Sequence, residues 1–470
     1  MYEKDIIDTE MINSRFASRI LIGTSIVFWL LVFWVFNASR FLRPASDDYC
    51  VGIRANLGPI GGFVQEFQTH SGFVTPSFLT NLFVGIPLAN GPLWFGSSIT
   101  FLFAALGMSF LTIVALMAAS GLTASKKLVL FGLASLLPAS IVAWWTFLWF
   151  PLDASTESPM DELAIGLTHW QNLNSAYVLP TALILSAALL LLRPSLSRNW
   201  RVTVASAVLG LVTGLMGPTF AMAAVLFMTL LASWILLRVE EMKARKLMDI
   251  GVASLTVMLG LLIAYLSPGT QSRASQYGAG EFVFAPGSIV GWIMAILPEN
   301  LFMFGELLLH WGTAVVFSIF FGLGFFARKN IPTLETSNVL PIAIGLSVFG
   351  ISLTSATIVT DTFAYGAYWH SSSIAVVAFA VCASFGFWAG GAFLNQLGSP
   401  GDLFACVVLL VGLVSGVGSS LDLSTSVVER EKLWTDSHTS ATGIIDGYEP
   451  LMWPSCNVEE LAVVNPAFAG

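Results

Sequence analysis

Long apolar runs broken by short polar stretches dominate the chain, and most of the runs are continuous rather than one-sided. A helix at the surface of a soluble protein is apolar along one stripe only, whereas a helix in lipid is apolar all round. Taken between charged or Gly/Pro-rich breaks, the runs predict eleven spans, at Ile20–Asn37, Ser98–Ala119, Leu128–Phe150, Ala176–Leu192, Val202–Met216, Thr219–Leu237, Ile250–Leu266, Leu301–Phe326, Val339–Ile358, Ser373–Leu394 and Leu403–Leu421. Several are shorter than the roughly 20 residues that cross a bilayer. The Gly217-Pro218 break either separates two helices or kinks a single long one. The expected fold is therefore an all-α polytopic membrane protein.

Composition sharpens this picture. Of 470 residues, 56% are hydrophobic and 10% charged, against roughly 45–50% and about 25% in soluble domains. Too little polar surface is left to cover the chain in water, which excludes a conventional soluble enzyme; the low charge also excludes a nucleic-acid face. Residues 1–19 form a polar segment too long and acidic for a signal peptide, so the first span reads as a retained anchor. Residues 20–421 form the membrane domain, with a long loop at 38–97, and 422–470 form a tail.

Orientation follows from Lys and Arg in the short loops. With the N-terminus cytoplasmic, 14 of the 20 lie inside, including Lys126, Lys127, Arg245 and Lys246, and 6 lie outside, including Arg54 and Arg273. Eleven spans then put the C-terminus outside, in a multi-pass protein of a plasma membrane, bacterial in character. Most acidic residues fall outside, including Asp47, Asp48 and Glu66, an asymmetry that membrane insertion does not require. Glu306 is the only acidic residue deep in a predicted span, and His310 reads as a helix-packing histidine. The four cysteines make no disulfide framework; Cys50 and Cys456 share the outer side, but two thiols are favoured over a bridge. Gly210/Gly214, Gly386/Gly390 and Gly412/Gly416 are small-residue pairs at the spacing that lets helices approach closely. No nucleotide-binding glycine loop and no zinc motif occurs.

Four outside segments carry candidate chemistry. The first opens with Ser46-Asp47-Asp48-Tyr49-Cys50, two carboxylates near the membrane surface, where keeping them ionised is costly without a role. Either can serve as a general base; equally, Ser46 or Asp47 can cap a short helix beginning near Asp48, and the two roles are compatible. Downstream, Gly61 to Phe73, with Glu66 and His70, has the spacing of a short amphipathic helix lying in the interface. The second segment ends in Thr168-His169-Trp170-Gln171-Asn172-Leu173-Asn174-Ser175-Ala176-Tyr177, a mixture of imidazole, amides and aromatics suited to sugar hydroxyls. In the third, Ser267-Pro268-Gly269-Thr270-Gln271-Ser272-Arg273, Pro-Gly predicts a turn, and a guanidinium beside hydroxyls and unbonded amides makes a phosphate receptor. The fourth, Asp361 to His370, offers His370 as a second phosphate donor and Trp369 within an aromatic belt.

In their order along the chain these motifs resemble the GT-C superfamily of polytopic glycosyltransferases, and within it a group of bacterial membrane proteins. That group is marked by Ser/Ala-Asp-Asp-Tyr after the first span, a Gly-rich stretch with Trp-Ser-Gly-Arg, Thr-Gly-x-x-Asn-Tyr-x-x-Pro opening a later span, and Pro-Gly-x-x-x-Arg. The matching stretches are Ser46-Asp47-Asp48-Tyr49, Gly61-Gly62 with His70-Ser71-Gly72-Phe73, Asn174-Ser175-Ala176-Tyr177-Val178-Leu179-Pro180, and Pro268 to Arg273. Phe73 stands where the group has Arg, His370 stands near where an Arg is expected, and Met216-Gly217-Pro218-Thr219 lacks an expected acidic residue.

The resemblance implies transfer of a sugar from a polyprenyl-phosphate donor to a glycan, lipid or protein acceptor on the outer face, with no cofactor beyond the lipid-linked sugar and with metal dependence left open. Asp47 or Asp48 would be the base. Arg273, with His370 and His169, would take the leaving phosphate, and Tyr49, His70, Asn174, Tyr177 and Trp369 would line the sugar and acceptor positions. A transporter or flippase for a lipid-linked or small polar substrate is the rival expectation, and an inactive scaffold the third.

Overall fold

The computed structural model describes residues 48–69, 72–90, 174–191, 200–238, 243–276, 311–330, 339–363 and 373–393, together with isolated helical positions at 26, 30, 304–305, 308, 403–408, 410–411 and 414–415. The predicted spans at Ile20–Asn37, Ser98–Ala119 and Leu128–Phe150, and most of Leu403–Leu421, lie outside these residues.

Every described element is helical. The 38–97 loop holds four short helices, α1 (Asp48–Arg54), α2 (Gly58–Thr69), α3 (Val74–Thr80) and α4 (Ile86–Asn90). A 3-10 turn, Ala55–Leu57, joins α1 to α2 and ends at Gly58, whose φ of 78° suits glycine. A π-helical turn, Asn81–Gly85, joins α3 to α4. A second π-turn, Asn174–Val178, leads into α5 (Leu179–Leu191). Next come α6 (Trp200–Gly214), α7 (Pro218–Arg238), α8 (Lys243–Tyr265), α9 (Pro268–Gln276), α10 (Trp311–Asn330), α11 (Val339–Phe363) and α12 (Ser373–Phe393).

Four of these helices are long and apolar enough to cross a membrane, over Pro218–Leu237, Ala244–Tyr265, Val339–Ala356 and Ser373–Phe393. At about 1.5 Å per residue, the 20 residues of the first reach about 30 Å, the thickness of a hydrocarbon core. Their surroundings differ sharply. The α12 window is 83% buried within the protein and the α8 window 17%. Leu255, Met258, Leu259 and Leu262 of α8 lie exposed, an apolar face that water would not tolerate but lipid would. The described elements are all helical, and the length and apolarity of these helices mark the chain as an integral membrane protein.

Backbones come close where glycine permits it. A Cβ on Gly210 or Gly214 of α6 would run into the carbonyls of Ala253 or Val257 of α8, and one on Gly260 would lie 2.6 Å from the Leu211 carbonyl. The pairs advance together along both helices, so α6 and α8 run parallel. Two parallel neighbours joined through α7 require α7 to run back between them. The Gly217-Pro218 break is therefore a reversal and not a kink, made at Leu215–Gly217 with Gly217 at φ 120°. Gly386 and Gly390 of α12 likewise meet the Phe317 and Phe321 carbonyls of α10. Phe349 of α11 packs on Phe220 and Phe227 of α7, with ring centroids 6.0 and 5.6 Å away.

Several predicted boundaries shift. Helix α8 starts at Lys243, seven residues before the expected Ile250, because the backbone ladder runs on through charged residues. It thereby takes Asp249 into a span window, so Glu306 is not alone among acidic residues in spans. Helix α11 continues to Phe363 and absorbs Asp361 from the predicted outside loop.

Candidate functional site

Helices α6 and α8 present two turns at the same end, Leu215–Gly217 and Leu266–Ser267, and the segment after α2 is fastened to both. The Thr75 backbone N–H donates to the Leu215 carbonyl at 3.3 Å, and its hydroxyl donates to the Val212 carbonyl at 3.0 Å. The Phe73 ring seats on Gly217, and a Cβ there would lie 3.2 Å from the ring. Gly72 donates its N–H to Thr270 Oγ1 at 3.0 Å and stands so close to the Ala264 carbonyl and Ser267 that no side chain fits. Two of the three positions at which the chain departs from the resembled pattern, Phe73 and the 216–219 turn, are thus in contact with each other.

The Pro-Gly turn expectation is corrected. Ser267 caps α9: its hydroxyl accepts the Thr270 N–H at 3.1 Å, and Pro268 takes the first helical position, where a missing N–H does no harm. Thr270 Oγ1 then donates to the Ala264 carbonyl at 2.8 Å while accepting from Gly72. The Ser267 and Thr270 hydroxyls are engaged in joining α8, α9 and Gly72. Arg273 stands in the same helix α9, and its side chain is outside the described set.

The first segment reaches this region through α2, which packs on α9. Helix α1 is described from Asp48 and ends at Arg54, and the proposed caps Ser46 and Asp47 lie outside the described residues. The Arg54 guanidinium lies 3.9 Å from Glu66 Oε2 of α2, with the two side chains 17% and 12% exposed. The fully buried Asn81 donates its Nδ2 to the same Glu66 oxygen at 3.3 Å and to the Ser77 carbonyl at 2.9 Å. Arg54 Nε and Asn81 Oδ1 are buried without a hydrogen-bond partner among the described residues. The second segment joins beside Asn81: Ser175 Oγ of the Asn174–Val178 turn donates to Thr80 Oγ1 at 3.3 Å. Thr181 of α5 donates to Ser373 Oγ at 3.0 Å, which brings the first turn of α12 to the same neighbourhood.

Segments at or next to the four resembled motifs, Val51–Arg54, Gly61–Thr69 with Gly72–Phe73, Asn174–Pro180 and Pro268–Thr270, are therefore linked in one cluster, although more than 200 residues separate its ends. Of the predicted site residues, Asp48 and Tyr49 open α1, Asn174 opens a π-turn and Arg273 belongs to α9. Only Tyr177 among them has a described side chain, which is half-buried. Asp47, His70, His169, Trp369 and His370 lie outside the described residues. The sequence reading missed Asn81, Thr80, Ser77 and Thr75, uncharged polar residues whose partners lie on other segments and are not visible from their spacing.

Cys50 of α1 is disulfide-bonded, which corrects the expectation of two thiols. Cys382 and Cys406 are not in disulfides, and the chain's fourth cysteine is Cys456. At the far ends of α6 and α8, Arg245 Nη2 donates to Thr203 Oγ1 at 2.7 Å, and Thr203 donates to Asp249 Oδ1 at 2.7 Å. Arg245 also pairs with Asp249 at 3.7 Å, which satisfies the carboxylate inside the span window. No group of three or more His, Cys, Asp or Glu able to hold a metal occurs among the described residues. No family model, curated protein or solved structure matches the chain.

Proposed function

We propose that the protein is a membrane glycosyltransferase of GT-C type, which moves a sugar from a polyprenyl-phosphate carrier to a glycan, lipid or protein acceptor at the outer face of the membrane. The observation that carries this reading is the linkage of four motif-bearing segments, distant in sequence, at one end of a lipid-exposed helical bundle. A transferase for a lipid-linked sugar needs a base, a phosphate receptor and a sugar-binding surface in one place at the headgroup level; the segments holding Asp48, Arg273 and Asn174 supply these three.

Sidedness has its own support. The α6–α8 end bearing the cluster is the end the loop charges assign to the outside, and the opposite end carries Arg201, Lys243, Arg245 and Lys246. A disulfide at Cys50 fits an oxidising, extracytoplasmic compartment.

Asp47 or Asp48 takes the proton from the acceptor hydroxyl as that oxygen attacks the anomeric carbon. The polyprenyl phosphate departs with the bond electrons and its charge is met by Arg273, with His370 and His169 as further donors. One direct displacement inverts the anomeric centre and needs only one base. Asp249, the acidic residue within the α8 window, is committed to the Arg245–Thr203 clasp, so it does not favour the transporter alternative.

The test is sugar transfer by the full-length protein in proteoliposomes supplied with undecaprenyl phosphate carrying a radiolabelled sugar. Wild type transfers label to acceptor, and Asp47→Asn or Asp48→Asn lowers the rate by about 10²–10⁴-fold with insertion unchanged. Full activity in both single variants rejects the base assignment, and substrate flux without acceptor favours transport.

A further inference from the structure

We propose that Arg54, Glu66 and Asn81 form a positioning relay that holds helix α1, and through it Asp48, in register with the rest of the cluster; this rests on the transferase reading above. Helix α1 has 7 residues, about half of what an isolated helix needs to persist. Its placement must therefore come from its neighbours.

The contacts around it are unusually directional. Arg54 is its last residue, where a cation also favours the helix dipole. Its guanidinium faces Glu66, and Asn81 divides its amide between Glu66 and the Ser77 carbonyl, so one buried amide ties α2 to α3 and indirectly to α1. The π-turn opened by Asn81 brings Gly85 against Val51 of α1 and Ala55 of the 3-10 turn that follows it, where a Cβ would lie 2.9 Å from the Val51 carbonyl. π-turns are rare and concentrate at functional sites. Two occur among the described residues, and the Ser175–Thr80 bond joins them one residue from Asn81. A shift at Asn81 would therefore move the Asp48 and Asn174 segments together.

A half-buried ion pair is a poor device for stability, since apolar replacement is often neutral or better. Its geometry is what such a pair supplies, and that is the property a base-bearing helix two turns long requires.

The experiment combines hydrogen exchange at the Tyr49–Arg54 amides with steady-state transfer kinetics on the same undecaprenyl-phosphate sugar, using the full-length disulfide-intact protein. Glu66→Ala and Asn81→Ala raise exchange in α1 by about tenfold or more without loosening α6 or α8, and lower kcat by about tenfold with KM within about twofold. Glu66→Gln, which still accepts from Asn81, retains wild-type exchange and kcat. The double variant Arg54→Met/Glu66→Gln, which removes the ion pair and keeps an acceptor for Asn81, keeps wild-type thermal stability and loses kcat, which a purely structural role would not produce. Unchanged α1 exchange in both alanine variants overturns the relay, as does loosened α1 with wild-type kcat. Should wild type transfer no sugar, the transferase reading fails on its own, and the exchange data alone then decide whether the relay holds α1.

Discussion

Thr270 shows how little material joins the motifs. Its hydroxyl accepts from Gly72 and donates to the Ala264 carbonyl, so one side chain holds the segment after α2 against the α8–α9 corner. Replacing it with valine keeps the shape and removes both bonds, leaving the part-buried Gly72 N–H without its acceptor while the Ala264 carbonyl still accepts from Ser267. Thr270→Val is expected to destabilise the protein by about 1–3 kcal/mol, measured as a lower midpoint of thermal unfolding in detergent, whereas Gln271→Ala on the exposed side of α9 should change it little. The roles of Gly72, Ser267 and Thr270 were half legible in the sequence. The motifs drew attention to stretches that meet in the fold, but hydroxyls that cap and clasp look the same in one dimension as hydroxyls that bind phosphate. Asn81 was not legible, because an uncharged amide in an apolar run gives no signal until its partners, Glu66 and Ser77, are known.

The helices themselves were easier to read, since continuous apolar runs leave few alternatives. Helices α5 and α7 start within about three residues of their expected positions, because Pro180 and Pro218 act locally. The ends drift where hydropathy and backbone bonding disagree. Charge ended the predicted α8 span at Ile250, but Lys243 to Asp249 continue the helix, with Arg245 and Asp249 satisfied across to Thr203. The α6–α8 pairing was legible as a Gly210/Gly214 pattern, but its partner helix and parallel direction were not, since a small-residue pair does not say what it faces. Because the Gly214 Cβ position is occupied by the Val257 carbonyl, Gly214→Leu must separate the two helices. The expected cost is about 1–3 kcal/mol or more, seen as loss of folded protein in a detergent thermal scan; Gly251→Leu, on open space in α8, is the matched control.

Across the molecule, the bundle contains two unlike kinds of membrane helix. α12 is enclosed by protein and α8 lies open along most of its length, which suits a fixed core with a lipid-facing flank along which a carrier chain could lie. The short helices of the 38–97 segment cover one end of that bundle, and the disulfide at Cys50 anchors α1 covalently. A density map of the full-length protein with undecaprenyl phosphate bound shows where the carrier docks. The phosphate is expected against Arg273 of α9, facing the Asp48 end of α1, with the polyprenyl chain running down the exposed flank. A phosphate bound at the opposite end of the bundle, near Arg245 and Lys246, or a cluster that stays shut to the lipid while it binds elsewhere, would contradict that placement.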